Sequence, residues 1–240
     1  MRTKNSKLYL LLIALTISTV WAPLNAAAQV ETLRVDGLAE PVEILVDRWG
    51  IPHIYAQTEE DLFFAQGFNA ARDRLFQLEL WRRQVSGTVS ELLGARTLDK
   101  DIGARLLRYR GNLEQELNHY HDRGTAIFGA FVRGVNAYIA LTEEDPTLLP
   151  IEFRLLGTTP GRWTPEIVVS RLNGLYSNVT REVRNAQLLQ TMDAETLTSL
   201  SDFRPRNPDL SDNGVDLSLI DDDVLKLYVA ARAPVDFVPE

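Results

Sequence analysis

The chain has 240 residues, 45% hydrophobic and 24% charged, which is enough apolar material for one sizeable packed domain and too much for a disordered chain. Its formal net charge of −8 disfavours nucleic acid and anionic membrane surfaces as partners. It contains no cysteine, so disulfides, thiol nucleophiles, thiolate zinc sites and iron–sulfur clusters are excluded.

Residues 1–28 read as a secretory signal peptide: Arg2, Lys4 and Lys7 precede the apolar run LYLLLIALTISTVWAPL, Pro23 breaks it, and Ala26 and Ala28 form an A-x-A site. The run is only as long as the shortest spanning helix, so stable membrane insertion is not expected, and the mature protein is expected to be periplasmic or secreted. The leader holds three basic and no acidic residues, leaving 22 Lys plus Arg against 33 Asp plus Glu, a net of −11.

Residues 42–56, VEILVDRWGIPHIYA, alternate Val42, Ile44 and Val46 with Glu43 and Asp47, then turn through Arg48-Trp49-Gly50, which predicts a β-hairpin with Pro52 on an edge strand. Thr58 with Asp61 forms a capping-box analogue, and Leu62, Ala65, Phe68, Leu75, Leu78 and Trp81 recur at mostly helical spacing, so a long amphipathic helix should end near Gly87. Further helices are expected at Ser90 to Gly94, Ile102 to Glu116 and Thr125 to Leu141. Residues 151–156, Ile-Glu-Phe-Arg-Leu-Leu, read as a short strand or turn between two loop-rich stretches. Thr164-Pro165-Glu166 is a helix start that should reach Asn173 or beyond, and another helix should pass Glu182 to Gln190. Residues 29–200 are read as the main domain. Residues 201–240 are an acidic, loop-rich segment with a short helix near Val224 to Ala231.

Common catalytic signatures are missing: there is no G-x-S-x-G, H-E-x-x-H, P-loop, G-x-G-x-x-G or S-x-x-K. His119 and His121 diverge on a polar helix end and read as solvated. Asp209, Ser211, Asn213 and Gly214 open like a calcium loop, but Ile220 stands where the bidentate carboxylate belongs, which favours an ordinary acidic turn. Asn178-Val179-Thr180 matches a glycosylation acceptor that is too short to carry weight.

The blocks D-x-W-G-I-P-H-I-Y-A at 47–56, A-x-D-R-L-F-Q-L-E at 71–79 and R-R-x-x-x-G-T-x-x-E-x-L-G at 82–94 resemble the N-terminal part of the α subunit of penicillin acylases, the penicillin amidase family of N-terminal nucleophile hydrolases. Leu148 to Phe153, Gly157 to Pro165 and Asn185 to Leu189 extend the likeness over about residues 40–190. The resemblance implies an α+β fold: the α-subunit part of an αββα sandwich, with an N-terminal β-hairpin followed by mainly helical segments. It also implies a precursor cut into an α chain, a spacer and a β chain whose N-terminal serine is the nucleophile and whose own α-amine is the base. Such an amine, with an unperturbed pKa of about 8, can serve without a histidine. No catalytic residue is therefore expected in this chain. His53 is read as a structural hydrogen-bonding group of the hairpin.

Carried over by position, Leu172 and Tyr176 are the implied acyl-pocket residues, and Glu182 is the implied ligand of a structural calcium ion shared with the β chain. Two positions depart from the family pattern: Leu175 stands where penicillin G acylases carry an arginine, and Gly174 costs about 1 kcal/mol of helix stability against alanine. The implied activity is hydrolysis of a small-molecule amide, releasing a hydrophobic acyl group from an amine such as a β-lactam nucleus. An acyl-homoserine lactone acylase subunit and a truncated, non-catalytic orphan protein are the alternatives. Residues 201–240 would then end the α chain or belong to the spacer.

Overall fold

A computed structural model describes residues 30–173, 179–203, 210, 214 and 216–237, without the side chains of residues 172 and 173. The leader expected over 1–28 lies outside these residues. The chain divides into two units, 1–35 and 36–240; the described residues of the first, 30–35, form neither helix nor strand.

The second unit opens with the expected hairpin, β1 (Glu43–Val46) antiparallel to β2 (Pro52–Tyr55), in the register Glu43↔Tyr55, Ile44↔Ile54, Leu45↔His53 and Val46↔Pro52. Asp47 builds the turn: its Oδ1 accepts from Trp49 N at 2.8 Å and Ile51 N at 3.0 Å, while Gly50 takes the left-handed conformation at φ 79°. The Ile51 amide, before all other contributions, holds the Asp47 carboxyl below the ordinary aspartate range. His53 Nε2 lies 3.3 Å from Asp47 Oδ2 on the same exposed turn.

Helix α1 (Glu59–Ser86) starts at Thr58, whose Oγ1 accepts from Asp61 N at 3.0 Å, and stops at Gly87 in the left-handed conformation, φ 65°. Arg74 leaves helical dihedrals within it, at φ −141° and ψ 30°. Beyond α1 come α2 (Ser90–Leu93), α3 (Leu98–Leu106), α4 (Leu113–Tyr120) and α5 (Gly124–Glu144). Then follow α6 (Ile151–Leu156), α7 (Pro165–Asn173), α8 (Val179–Leu188), α9 (Ala194–Leu200) and α10 (Lys226–Arg232).

The core is the crossing of α1 with α5. Phe64, Phe68, Ala71, Leu75 and Leu78 of α1 are buried with Ala130, Val135, Tyr138 and Ile139 of α5, and Phe68 meets Tyr138 edge to face at 5.5 Å. Each large apolar side chain buried there contributes roughly 1.5–3 kcal/mol. The helices touch backbone to backbone through two glycines: a Cβ at Gly67 would stand 2.0 Å from Phe131 O, and one at Gly134 1.9 Å from Phe64 O. Helix α5 is long and apolar enough by composition to cross a membrane, but here it is a core helix of the folded unit.

Two expectations are corrected, and one helix is added to them. The helix expected over Ile102 to Glu116 is two helices, because Asn112 caps a new one by accepting from Gln115 N at 2.9 Å, and Arg110 satisfies the last carbonyls of α3 through Arg105 O and Leu106 O. Residues 151–156 are helical, not a strand or turn: Pro150 leads in, Gly157 at φ 62° ends the turn, and the buried Phe153 ring packs edge to face on Phe76 at 5.4 Å. Helix α9 was not expected; Asp193 caps it by accepting from Thr196 N at 2.7 Å. Its carboxyl is held low chiefly by that bond.

Candidate functional site

The last turns of α1 place Glu79, Arg82 and Arg83 at i, i+3 and i+4, one above another on one face. Glu79 is 1% exposed. Its Oε1 accepts from Arg82 Nη2 and Arg83 Nε, both at 2.7 Å, and its Oε2 accepts from Arg82 Nε at 2.8 Å and Gly161 N at 2.9 Å. Arg83 continues to Glu91 Oε2 at 3.0 Å, Thr158 Oγ1 at 3.1 Å and Thr88 O at 3.3 Å. The blocks at 71–79, 82–94 and 157–165 therefore meet at one buried ion-pair node. With both carboxylate oxygens twice engaged, Glu79 holds a loop in place and is not free to move protons.

The loop held by Glu79 is clamped from its other side by Asn136 of α5, whose Oδ1 accepts from Trp163 N at 2.8 Å and whose Nδ2 donates to Trp163 O at 2.9 Å. Together these bonds fix the start of α7. Asp101 of α3 plays the equivalent role for α2, accepting from Val89 N and Ser90 N at 2.8 Å each and from Ser90 Oγ. Buried Asp61 draws the strand entry onto α1 by accepting from Ala39 N at 2.8 Å and Glu40 N at 3.2 Å. The Ala39 amide, then Thr58 Oγ1, keep its carboxyl below the usual range. Sequence reasoning missed Asn136 and Asp101. A side-chain amide inside the apolar stretch of α5 was the available signal for the first; nothing local distinguishes the second.

Helix α7 delivers Ser170 and Arg171 to a cavity of about 590 Å³ bounded by α1, α3, α7 and α10. Trp81, Gln84, Leu107, Ala231 and Val235 line it, and the Arg171 guanidinium lies 4.7 Å over the Trp81 ring. Burial pushes Arg171 below the ordinary arginine value. Leu172, the next residue, belongs to α7, but its side chain lies outside the described residues, as does all of Tyr176. Glu182 sits exposed in the first turn of α8. Among the described residues no three His, Asp or Glu side chains gather to hold a metal. Calcium takes six to eight oxygens, so Glu182 fits that ion only as one ligand of a shell completed from elsewhere. His119 and His121 are exposed, and His121 Nδ1 accepts from Arg123 N at 3.0 Å.

Residues 41–215 match the family model for penicillin amidase. The chain belongs to the penicillin amidase family. It is 40% identical over 146 residues to penicillin acylase 2 proenzyme of Pseudomonas sp. (strain SE83), covering 60% of this chain and 18% of that protein. It is 34% identical over 156 residues to penicillin G acylase of Escherichia coli, covering 63% and 18%. It is 31% identical over 175 residues to acyl-homoserine lactone acylase QuiP of Pseudomonas aeruginosa, covering 71% and 20%. The chain thus spans about a fifth of the length of the curated relatives it matches. Its fold is similar to a solved chain of the thermostable penicillin G acylase from Alcaligenes faecalis in tetragonal form, with a TM-score of 0.55 at 23% identity, covering 73% of this chain and 96% of that one. This penicillin amidase family member is α+β, a small antiparallel strand pair with mostly helices. Helix α10 lies beyond the family match.

Proposed function

We propose that this chain is the α-subunit part of an exported amide hydrolase that releases a hydrophobic carboxylic acid from an amine, and that it pairs with a β chain carrying an N-terminal serine nucleophile. The observation that carries the reading is one of proportion: the chain corresponds to 18% of a penicillin acylase proenzyme, yet 96% of a separate solved chain of a penicillin G acylase lies within its match. The hairpin supports it. Leu45, Trp49, Ile51 and Tyr55 are exposed, Trp49 to 74%, on a two-stranded sheet whose outer edges have no strand beside them among the described residues. Such a pair is marginal alone and suits the rim of a larger sheet, here the αββα sandwich completed by the second chain.

In this reading Leu172 and Tyr176 line the acyl pocket, an apolar wall with one polar tip. Glu182 supplies one oxygen to a calcium ion whose remaining ligands come from the β chain, so that the ion ties the two chains together. Acyl transfer passes through an ester on the β-chain serine, and residues 1–28 direct export. The test is amide hydrolysis by residues 1–240 alone and by the complete translation product, across a series of acyl groups. Turnover only by the complete product supports the reading, and turnover by residues 1–240 alone defeats it. The similarity to an acyl-homoserine lactone acylase over 71% of the chain favours a second reading, in which the acyl group is that of an acyl-homoserine lactone; the same series separates the two.

A further inference from the structure

We infer that residues 226–237 are a retained part of the mature folded chain, a tail that closes the groove between α1 and α3, and are not removed as spacer. The inference rests on the two-chain reading above. It concerns a stretch outside the family match, which ends at residue 215.

Lys100 of α3 anchors the tail. The residue is only 7% exposed, and its ammonium donates to Ala230 O at 2.9 Å and to Ala233 O, carbonyls at the C-terminal end of α10 that the helix itself leaves unpaired. The tail that covers this ammonium also supplies its two acceptors, so the charge is enclosed without being left unpaired. Burial already pushes the Lys100 amine below the usual lysine range. Gln84 of α1 donates to the same end, to Ala231 O at 3.1 Å and Ala233 O at 3.3 Å.

Packing points the same way. A Cβ at Gly103 would stand 2.1 Å from Leu227 O, so α3 and α10 approach at backbone contact where only glycine leaves room. The Phe237 ring lies 6.0 Å from Phe76, which packs on the core residue Phe153. Arg96 donates to Asp236 O at 3.3 Å, and Lys226 Nζ lies 3.2 Å from Asp99 Oδ2. Just upstream, Gln190 donates to Leu217 O and Gln187 to Asp221 O, tying the approach to α8. Backbone contact, a shared cation and a tilted aromatic contact together describe a tail docked on the folded unit through one face, with Ala231 buried while Val229 and Phe237 stay exposed. The tail also supplies one wall of the cavity beside Trp81 and Arg171.

The experiment is intact-mass measurement and peptide mapping of the small chain purified from cells expressing the complete reading frame. The expected small chain, or a fragment copurifying with it one to one, contains Lys226 to Phe237. A small chain ending before Lys226 with no such fragment overturns the inference while leaving the two-chain reading standing. A single uncut product overturns the two-chain reading instead, and there limited trypsin digestion decides the tail: protected bonds after Lys226 and Arg232 support it, and prompt cleavage refutes it. In either protein Lys100→Met and Gly103→Val should each speed tryptic release of the tail about tenfold or more, since cleavage follows the open population. Lys100→Met nearly preserves side-chain volume, so an unchanged rate in that variant counts against docking even if Gly103→Val fails to fold.

Discussion

Arg83 Nε lies 2.7 Å from Glu79 Oε1 at the buried end of α1, and through this pair the loop at 157–161 is joined to the helix turn at 88–91. Removing one member of a buried ion pair leaves the others without compensation. Glu79→Ala should therefore lower the unfolding free energy of the complete protein by about 3–5 kcal/mol. Chemical denaturation measures it. A loss no larger than that of an exposed pair such as Arg162 with Glu143 would show that the node does not hold the fold.

The glycine crossing of α1 and α5 makes a separate prediction. Gly67→Ala and Gly134→Ala each push a methyl group into a carbonyl of the facing helix, and each should cost about 1–3 kcal/mol or more. Because one separation of the helices relieves both clashes, the double variant should lose less than the sum of the two. Strict additivity in urea denaturation would argue against direct backbone contact.

Asp61 sets an acid limit. Its folded pKa is depressed, so the stabilisation it gives is fully present above the unfolded aspartate value of about 4 and is lost as pH falls through the lower folded value. Asp61→Asn should flatten that part of the curve of urea midpoint against pH below about 4. A variant curve parallel to the parent's throughout would contradict the assignment of the Ala39 and Thr58 bonds as its cause.

The calcium ligation proposed for Glu182 carries its own test. In the complete protein Glu182→Ala should lower the melting temperature and abolish its fall on addition of a chelator. A chelator response equal to the parent's would remove Glu182 from the proposed ligand shell.

The hairpin, the long helix from Thr58 to Gly87 and the start at Pro165 were legible in the sequence because each carries a local cause: alternation about Asp47, a capping threonine with a terminal glycine, and a proline at a helix start. The break between α3 and α4 was harder to read. Leu106 and Leu107 continue an apolar repeat, and only the side-chain cap of Asn112 and the reach of Arg110 end it. Residues 151–156 misled because six residues are too few to separate the two periods, and burial of a single ring, Phe153, decided the outcome. The motif residues Glu79, Arg82 and Arg83 could be quoted from the sequence as a pattern. Their common task could not, since it depends on Gly161 and Thr158, some eighty residues away. Lys100 gave no sign at all, because the carbonyls that hold it lie 130 and 133 residues further along the chain.

In the proposed function the nucleophile lies on a second chain that folds together with this one. N-terminal sequencing of the large chain purified from the complete reading frame tests this most directly. The expected first residue is serine, exposed by removal of a spacer beyond this segment. A hydrolytically active product that remains uncut, or a large chain that begins with a residue bearing no nucleophile, would contradict it.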